Sequence, residues 1–382
     1  MLAGHKLVVD EWAEVFDLLR PYADQTFWQW TDVDFDPNKF YIVGRVVLKD
    51  NWEAIVELAN RYPGRIIFCN PAEGSQTAIL QLKRLRITES VRTGRLGFVT
   101  SGDLEGGFNQ METDCYFTNI VEYTENLEAA QWQSAVYAQE FKPWSFLFLN
   151  GRLRPHRKAL IDSLRSRSLL EQALWTNLQD HVDMPWTSSL VTDSNEPIKL
   201  LPACYEIDRA QPYLQQPDQQ GFVKHQLFAD SWGDAIVNPR AYVDSYFSVV
   251  TETIFDYPYS FRTEKIWKPI IMCHPFVVAA NAGYYRDLHD LGFQTFAHLI
   301  DEDFDSIDNS EDRIQRISQV VADICQQGPA AFLRAAEHVC KYNYQHLREY
   351  NRSERHDLPF RLARYLDAQP SVTQEPSIAQ SF

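Results

Sequence analysis

Through the first third of the chain, short unbroken apolar runs alternate with stretches whose apolar positions fall three and four residues apart. Phe40 to Val47 (FYIVGRVV), Arg65 to Cys69 (RIIFC) and Leu96 to Val99 have the character of buried strands. Asn51 to Arg61 (NWEAIVELANR) and Gln76 to Leu85 have helical spacing, and Thr118 to Tyr123 reads as a further strand. Strand, helix and strand joined by short loops predict βαβ units on a parallel sheet.

The alternation continues beyond a break. Gln131 to Phe141 has helical spacing and Lys142-Pro143 stops it, which places a domain junction near residues 140 to 146. A strand (Ser145 to Leu149) and an amphipathic helix (Arg157 to Leu170) follow, then an irregular Pro- and Gln-rich stretch from about Asp193 to Gln220. Next come a strand at Tyr242 to Val250, a helix at Glu264 to Ile271, a strand at Phe276 to Ala280 and a helix at Tyr284 to Leu291. Residues Glu311 to Tyr350 are helical with a break at Gly328-Pro329, and the polar tail after Gln369 is expected to be mobile. The expected fold class is therefore α/β, two Rossmann-like domains facing each other across a cleft. Residues 1–142 are expected to form the first α/β domain, 143–350 the second, and 351–382 a partly mobile C-terminal extension.

Composition narrows the class. A chain of 382 residues, 45% hydrophobic and 23% charged, can bury two full cores. Its net charge of -16 disfavours nucleic acid, whose binding depends on Lys and Arg neutralising phosphate. No apolar run is long enough to span a membrane, and no basic-then-apolar leader precedes a cleavage-like site, so a cytoplasmic protein is expected. The six cysteines have no metal-ligand spacing and read as reduced, buried thiols.

The chemistry-bearing residues gather after predicted strands. Directly after SFLFL comes Asn150-Gly151-Arg152-Leu153-Arg154-Pro155-His156-Arg157-Lys158, which opens the next helix. Loops at the carboxyl ends of parallel strands bind ligands, and arginines beside a helix start offer an anion site for a diphosphate. Arginine there opposes the helix macrodipole, an argument for a role other than helix stability. Glu252 closes an apolar strand, and Thr263-Glu264-Lys265 opens the next helix after an aromatic loop. A carboxylate can accept from ribose hydroxyls while the lysine and helix amides face phosphate. Thr263 and Glu264 would equally serve as an ordinary capped helix start.

Glu252-Thr253, then Tyr259-Ser260-Phe261-Arg262-Thr263-Glu264-Lys265-Ile266-Trp267, then Pro275 before an apolar strand, resembles the donor-binding segment of the α-1,3-fucosyltransferases and related bacterial and viral glycosyltransferases. The clear likeness covers about 30 residues, with a weaker one from Phe146 to Ile324 and none in the N-terminal third. It implies the two-domain GT-B fold, a nucleotide-diphosphate sugar as donor substrate, and inverting transfer; because the arginine and lysine cluster offers the positive charge that a metal would supply, the transfer is expected to be metal-independent and to need no cofactor. Glu252 would then accept from ribose or donor-sugar hydroxyls, and the family's arginine at the start of the donor domain's first helix falls on Arg157, with Arg154 as the alternative. Thr253 stands where the family has Asn, and Arg262 where an aliphatic residue is usual, which leaves the donor base and sugar open. The acceptor is a glycan or another hydroxyl compound, with a modified DNA base the minority reading. A nucleotide- or glycan-binding protein without catalysis is the alternative.

The resemblance makes residues 143–350 the nucleotide-sugar-binding domain and 1–142 the acceptor-binding domain, and an inverting transfer needs a base on the latter, on a loop after a strand. Glu73, after RIIFC, and Asp103 and Glu105, after the strand at Val99, are the candidates. The acidic runs Asp32 to Asp36 and Asp301 to Asp305 suggest metal-binding carboxylate pairs, yet neither joins a strand end to a glycine turn, and no metal site is assigned.

Overall fold

A computed structural model describes residues 2–74, 90–91, 93–101, 109–114, 129–177, 179–181, 188–190, 196–205, 237–256 and 260–369. The helix expected at 76–85, the strand at 118–123 and the tail after 369 lie outside the described residues, as does most of the Pro- and Gln-rich stretch. The chain divides into two compact units, residues 1–116 with 353–382, and residues 117–352.

The first unit carries a six-stranded, wholly parallel sheet. Its members are β1 (Leu7–Asp10), β2 (Gln25–Phe27), β3 (Phe40–Val43), β4 (Ile66–Gly74), β5 (Leu96–Ser101) and β6 (Gln110–Glu112), in spatial order β2-β1-β3-β4-β5-β6. A helix, α1 (Phe16–Leu19), follows β1, and α2 (Arg45–Arg61) follows β3. The strand period of two sorts the apolar residues between the faces. Val8, Tyr41, Val43, Ile66 and Phe68 pack with Val47, Leu48, Ile55 and Ala59 of α2. Leu7, Val9, Phe40, Ile42, Ile67 and Cys69 pack on the other face with Leu358, Leu362, Ala363 and Leu366. Both faces are covered, which is why these strands read as continuous apolar runs.

In the second unit α3 (Ala129–Ala138) precedes β7 (Trp144–Phe148), and the two-residue β8 (Arg152–Leu153) leads into α4 (Pro155–Ser166). Then come β9 (Ala173–Trp175), β10 (Gln179–His181), α5 (Pro239–Val243), β11 (Ser245–Thr251), α6 (Glu264–Ile271), β12 (Phe276–Ala279) and α7 (Tyr284–Asp290). The four-stranded sheet is again parallel, in the order β12-β11-β7-β9, and β8 pairs with β10 in a separate ribbon. Two long helices close the described chain, α8 (Ser310–Gln327) and α9 (Pro329–Asp367). Gly328, at φ 108°, separates them in a conformation open to glycine, and Pro329 suits a first helical position. Mixed α/β architecture with two parallel sheets is Rossmann-like. Among the described residues no helix is long and apolar enough to cross a membrane.

Three details differ from the sequence expectation. The strand expected over Phe40 to Val47 ends at Val43, because Gly44 caps α2 and Arg45 to Val47 already form its first turn. The strand expected from Tyr242 starts only at Ser245, because Pro239 opens a short helix that runs to Val243. Of the cysteines, Cys69, Cys273 and Cys340 are buried, whereas Cys325 is only partly covered and Cys204 is exposed.

Candidate functional site

The order β12-β11-β7-β9 contains a reversal: from β7 the chain goes to β9 on one side, returns to β11 on the other, then moves outward to β12. The carboxyl ends of β7 and β11 therefore flank a topological switch point, where parallel α/β sheets open a crevice for ligands.

Asn150, wholly buried just past β7, ties three strand ends together. Its N–H donates to Thr176 Oγ1 at 2.9 Å, that hydroxyl donates back to the Asn150 carbonyl at 3.0 Å, and Thr251 Oγ1 donates to Asn150 Oδ1 at 2.7 Å. Asn150 Nδ2 is buried with no hydrogen-bond partner among the described residues.

The basic run that follows turns toward the end of β11. Arg154 Nη1 donates to the carbonyl of Thr253 at 2.7 Å. Arg157 donates through Nη1 to the Arg152 carbonyl at 2.7 Å and through Nη2 to the carbonyls of Thr251 and Glu252, both at 3.3 Å. His156 lies 3.0 Å by Nε2 from the Glu252 carbonyl, so Nε2 carries the proton and Nδ1 is an acceptor. Burial, then the charges of Arg157 and Arg154, hold this imidazole neutral, and it stacks on Phe255 with centroids 5.3 Å apart. Burial also lowers Arg157, to about 9, which leaves it charged at neutral pH. The strand-end carbonyls thus offset the cost of placing cations at a helix N-terminus. Arg152 is exposed, and Lys158 is drawn to Asp162 and, at 3.9 Å, to Glu196.

Glu252 is fully buried. Its Oε1 accepts from the Thr263 amide at 3.2 Å and the Tyr284 hydroxyl at 3.0 Å, and its Oε2 accepts from Thr263 Oγ1 at 2.6 Å. Burial raises its pKa against the opposing pull of Lys265 and Thr263. Thr263 is the N-cap of α6, accepting from the Lys265 amide, while Lys265 Nζ reaches Thr263 Oγ1 at 3.1 Å, Thr253 Oγ1 at 3.5 Å and Glu264 Oε1 at 2.7 Å. Burial would raise Glu264, but Lys265 and Lys268 outweigh it and keep the carboxylate below its ordinary range. Lys265 and Lys268 line, with Leu149 and Thr251, a recess of 30 Å³ at these strand ends.

One network therefore joins Arg154, Arg157, Glu252, Thr263, Glu264 and Lys265, with Arg152 connected through its carbonyl. Of the candidate bases, Glu73 belongs to β4 by its backbone, while its side chain, and the whole of Asp103 and Glu105, lie outside what is described. The acidic runs have other partners: Asp36 accepts from Asn38, Asp301 and Asp303 pair with Arg316, and Asp305 accepts from the amides of Tyr285 and Arg286.

Sequence reasoning gave no individual role to Asn150, Tyr284 or Arg313. Asn150-Gly151 directly after a strand was the available signal for the first. Arg313, 2% exposed, donates to the carbonyls of Phe255, Ala280, Ile307 and Asp308 and lies 4.2 Å over the Phe255 ring. It binds the loops after β11 and β12 to one another. No family model matches this chain, and no curated protein matches it significantly. Chemically, the switch point combines fixed cations, helix amides and a buried acid that positions them, an arrangement suited to an anionic ligand with hydroxyls.

Proposed function

We propose that the protein is a glycosyltransferase of GT-B type that moves a sugar from a nucleotide-diphosphate sugar to an acceptor hydroxyl. The observation that carries this reading is the convergence of Arg154, Arg157 and Lys265 on the carboxyl ends of two adjacent parallel strands at a switch point. Asn150 Nδ2, buried without a partner among the described residues, supports it, because such a donor is costly unless a ligand or water accepts from it.

In the proposed reaction the acceptor oxygen attacks the anomeric carbon while the bond from that carbon to the diphosphate breaks. Lys265, Arg154 and the amides of α6 would carry the negative charge that grows on the departing nucleoside diphosphate. A carboxylate on the first unit, among Glu73, Asp103 and Glu105, would take the hydroxyl proton. Glu252 would fix Thr263, and with it the start of α6, against the donor.

The test is a thermal-shift series with diphosphate sugars of each common base, since a ligand that binds the folded state raises its apparent stability. At least one should raise the melting temperature of the intact protein, and Lys265→Ala should weaken it by roughly ten- to a hundredfold, the worth of one charge-assisted contact. Folded Lys265→Ala and Arg154→Ala proteins with wild-type nucleotide affinity would overturn the proposal, as would no shift with any donor.

A further inference from the structure

The first unit has its own switch point. From β1 the chain goes to β2 on one side and returns to β3 on the other, so the loops after these strands share the ligand-bearing edge of the sheet. The loops after β1 and β2 each present a large apolar side chain to solvent, Trp12 at 52% exposure and Trp28 at 50%, and Val46 in the first turn of α2 is 47% exposed. Scattered exposed hydrophobics are ordinary, but two half-exposed indoles in contact are not. Trp12 and Trp28 meet edge to face, with ring centroids 5.2 Å apart.

The platform is built rather than incidental. Asp10, wholly buried, accepts from the Trp12 amide at 2.9 Å and from the Gly44 amide at 2.8 Å, which fixes the loop after β1 to the loop after β3. The approach is close enough to require glycine, because a Cβ on Gly44 would lie 2.9 Å from Ala13 Cα and 3.0 Å from the Trp12 carbonyl oxygen. The Glu11 amide donates to the Phe27 carbonyl at 3.0 Å, and Thr26 Oγ1 donates to Glu11 Oε1 at 2.6 Å, which sets Trp28 beside Trp12. A partly exposed carboxylate therefore adjoins the rings.

We infer that Trp12 and Trp28 form a saccharide-binding platform on the first unit, on which a sugar ring lays its C–H face against indole while its hydroxyls reach Glu11. A pyranose offers an apolar face and a rim of hydroxyl donors, and a tryptophan pair flanked by a carboxylate complements both. A stacked nucleobase fits less well, since the neighbouring acids Asp10, Glu11 and Glu14 would repel phosphate and the chain carries a net charge of -16. That the bound saccharide is the acceptor rests on the transferase reading; that a saccharide binds does not.

Saturation-transfer NMR on the intact protein, with chito-, cello-, malto- and galacto-oligosaccharides at millimolar concentration and no nucleotide, tests this directly. At least one series should bind. Trp12→Ala and Trp28→Ala should each weaken it about tenfold while Trp12→Phe retains most of it, with the thermal shift by nucleotide unchanged in all three. No binding by any series overturns the inference, as does binding that survives both alanine variants. Concentration-dependent self-association lost in both variants would also overturn it, assigning the indoles to a second copy of the chain. Saccharide binding without nucleotide binding would leave the platform standing and the transferase reading fallen; the reverse would separate them the other way.

Discussion

Thr263 Oγ1 donates to Glu252 Oε2 at 2.6 Å, so the residue that caps α6 also satisfies the buried acid at the end of β11. One hydroxyl couples a strand end to a helix start 11 residues later, and the position of Lys265 follows from that coupling.

Thr263→Val keeps the shape of the side chain and removes the hydroxyl. It should cost about 1 kcal/mol as a lost cap and roughly 1.5–3 kcal/mol as a lost hydrogen bond to a charged group, the two not fully additive. Thr263→Ser should recover most of the loss. Denaturant midpoints decide it: a valine variant with the wild-type midpoint would show that the Glu252 bond contributes nothing.

The arginines of the basic run should separate by role. Arg157 is 2% exposed, with both terminal nitrogens donating to strand-end carbonyls, whereas Arg152 is exposed. Arg157→Leu should lower the melting temperature without nucleotide, because it takes the guanidinium donor from the buried Thr251 carbonyl, at about 1–3 kcal/mol if that group is left unsatisfied, and leaves the Glu252 carbonyl with His156 alone. Arg152→Ala should melt as wild type and weaken nucleotide binding mainly at low salt, as an exposed charge acting through screened solvent would. Equal melting temperatures for Arg157→Leu and wild type would refute the division.

How far the sequence foretold these features depends on the range of the interactions behind them. The strands at Phe40, Ile66 and Phe276 and the helix break at Gly328-Pro329 follow from local pattern and were legible. The three-residue strands β2 and β9 are too short to show a period, so the first unit's switch point, which needs β2 beside β1, was not. The basic run could be picked out as charge after a strand, but its acceptors could not, because they are backbone carbonyls whose direction is fixed by β11 almost 100 residues away. Tyr284, 32 residues beyond Glu252, and Leu358, which completes the first unit's core from the far end of the chain, belong to the same class of long-range partners.

The last prediction concerns acidity. Glu302 accepts from the Phe296 amide and from Thr295 Oγ1, both at 2.7 Å, yet burial outweighs these bonds and pushes its carboxyl up from 4.5 to about 7. Between those two values the folded protein holds a proton that the unfolded chain has released. Stability from this group is thus fully present below about pH 4.5 and is lost as pH rises through about 7, with a slope of at most about 1.4 kcal/mol per pH unit. Glu302→Gln keeps an acceptor for the Phe296 amide, and its NH₂ can donate to the Thr295 hydroxyl, but it cannot ionise. The variant should match wild type in acid and exceed it in melting temperature above about pH 8. Parallel melting curves for the two proteins across that range would mean that Glu302 titrates as an ordinary surface acid.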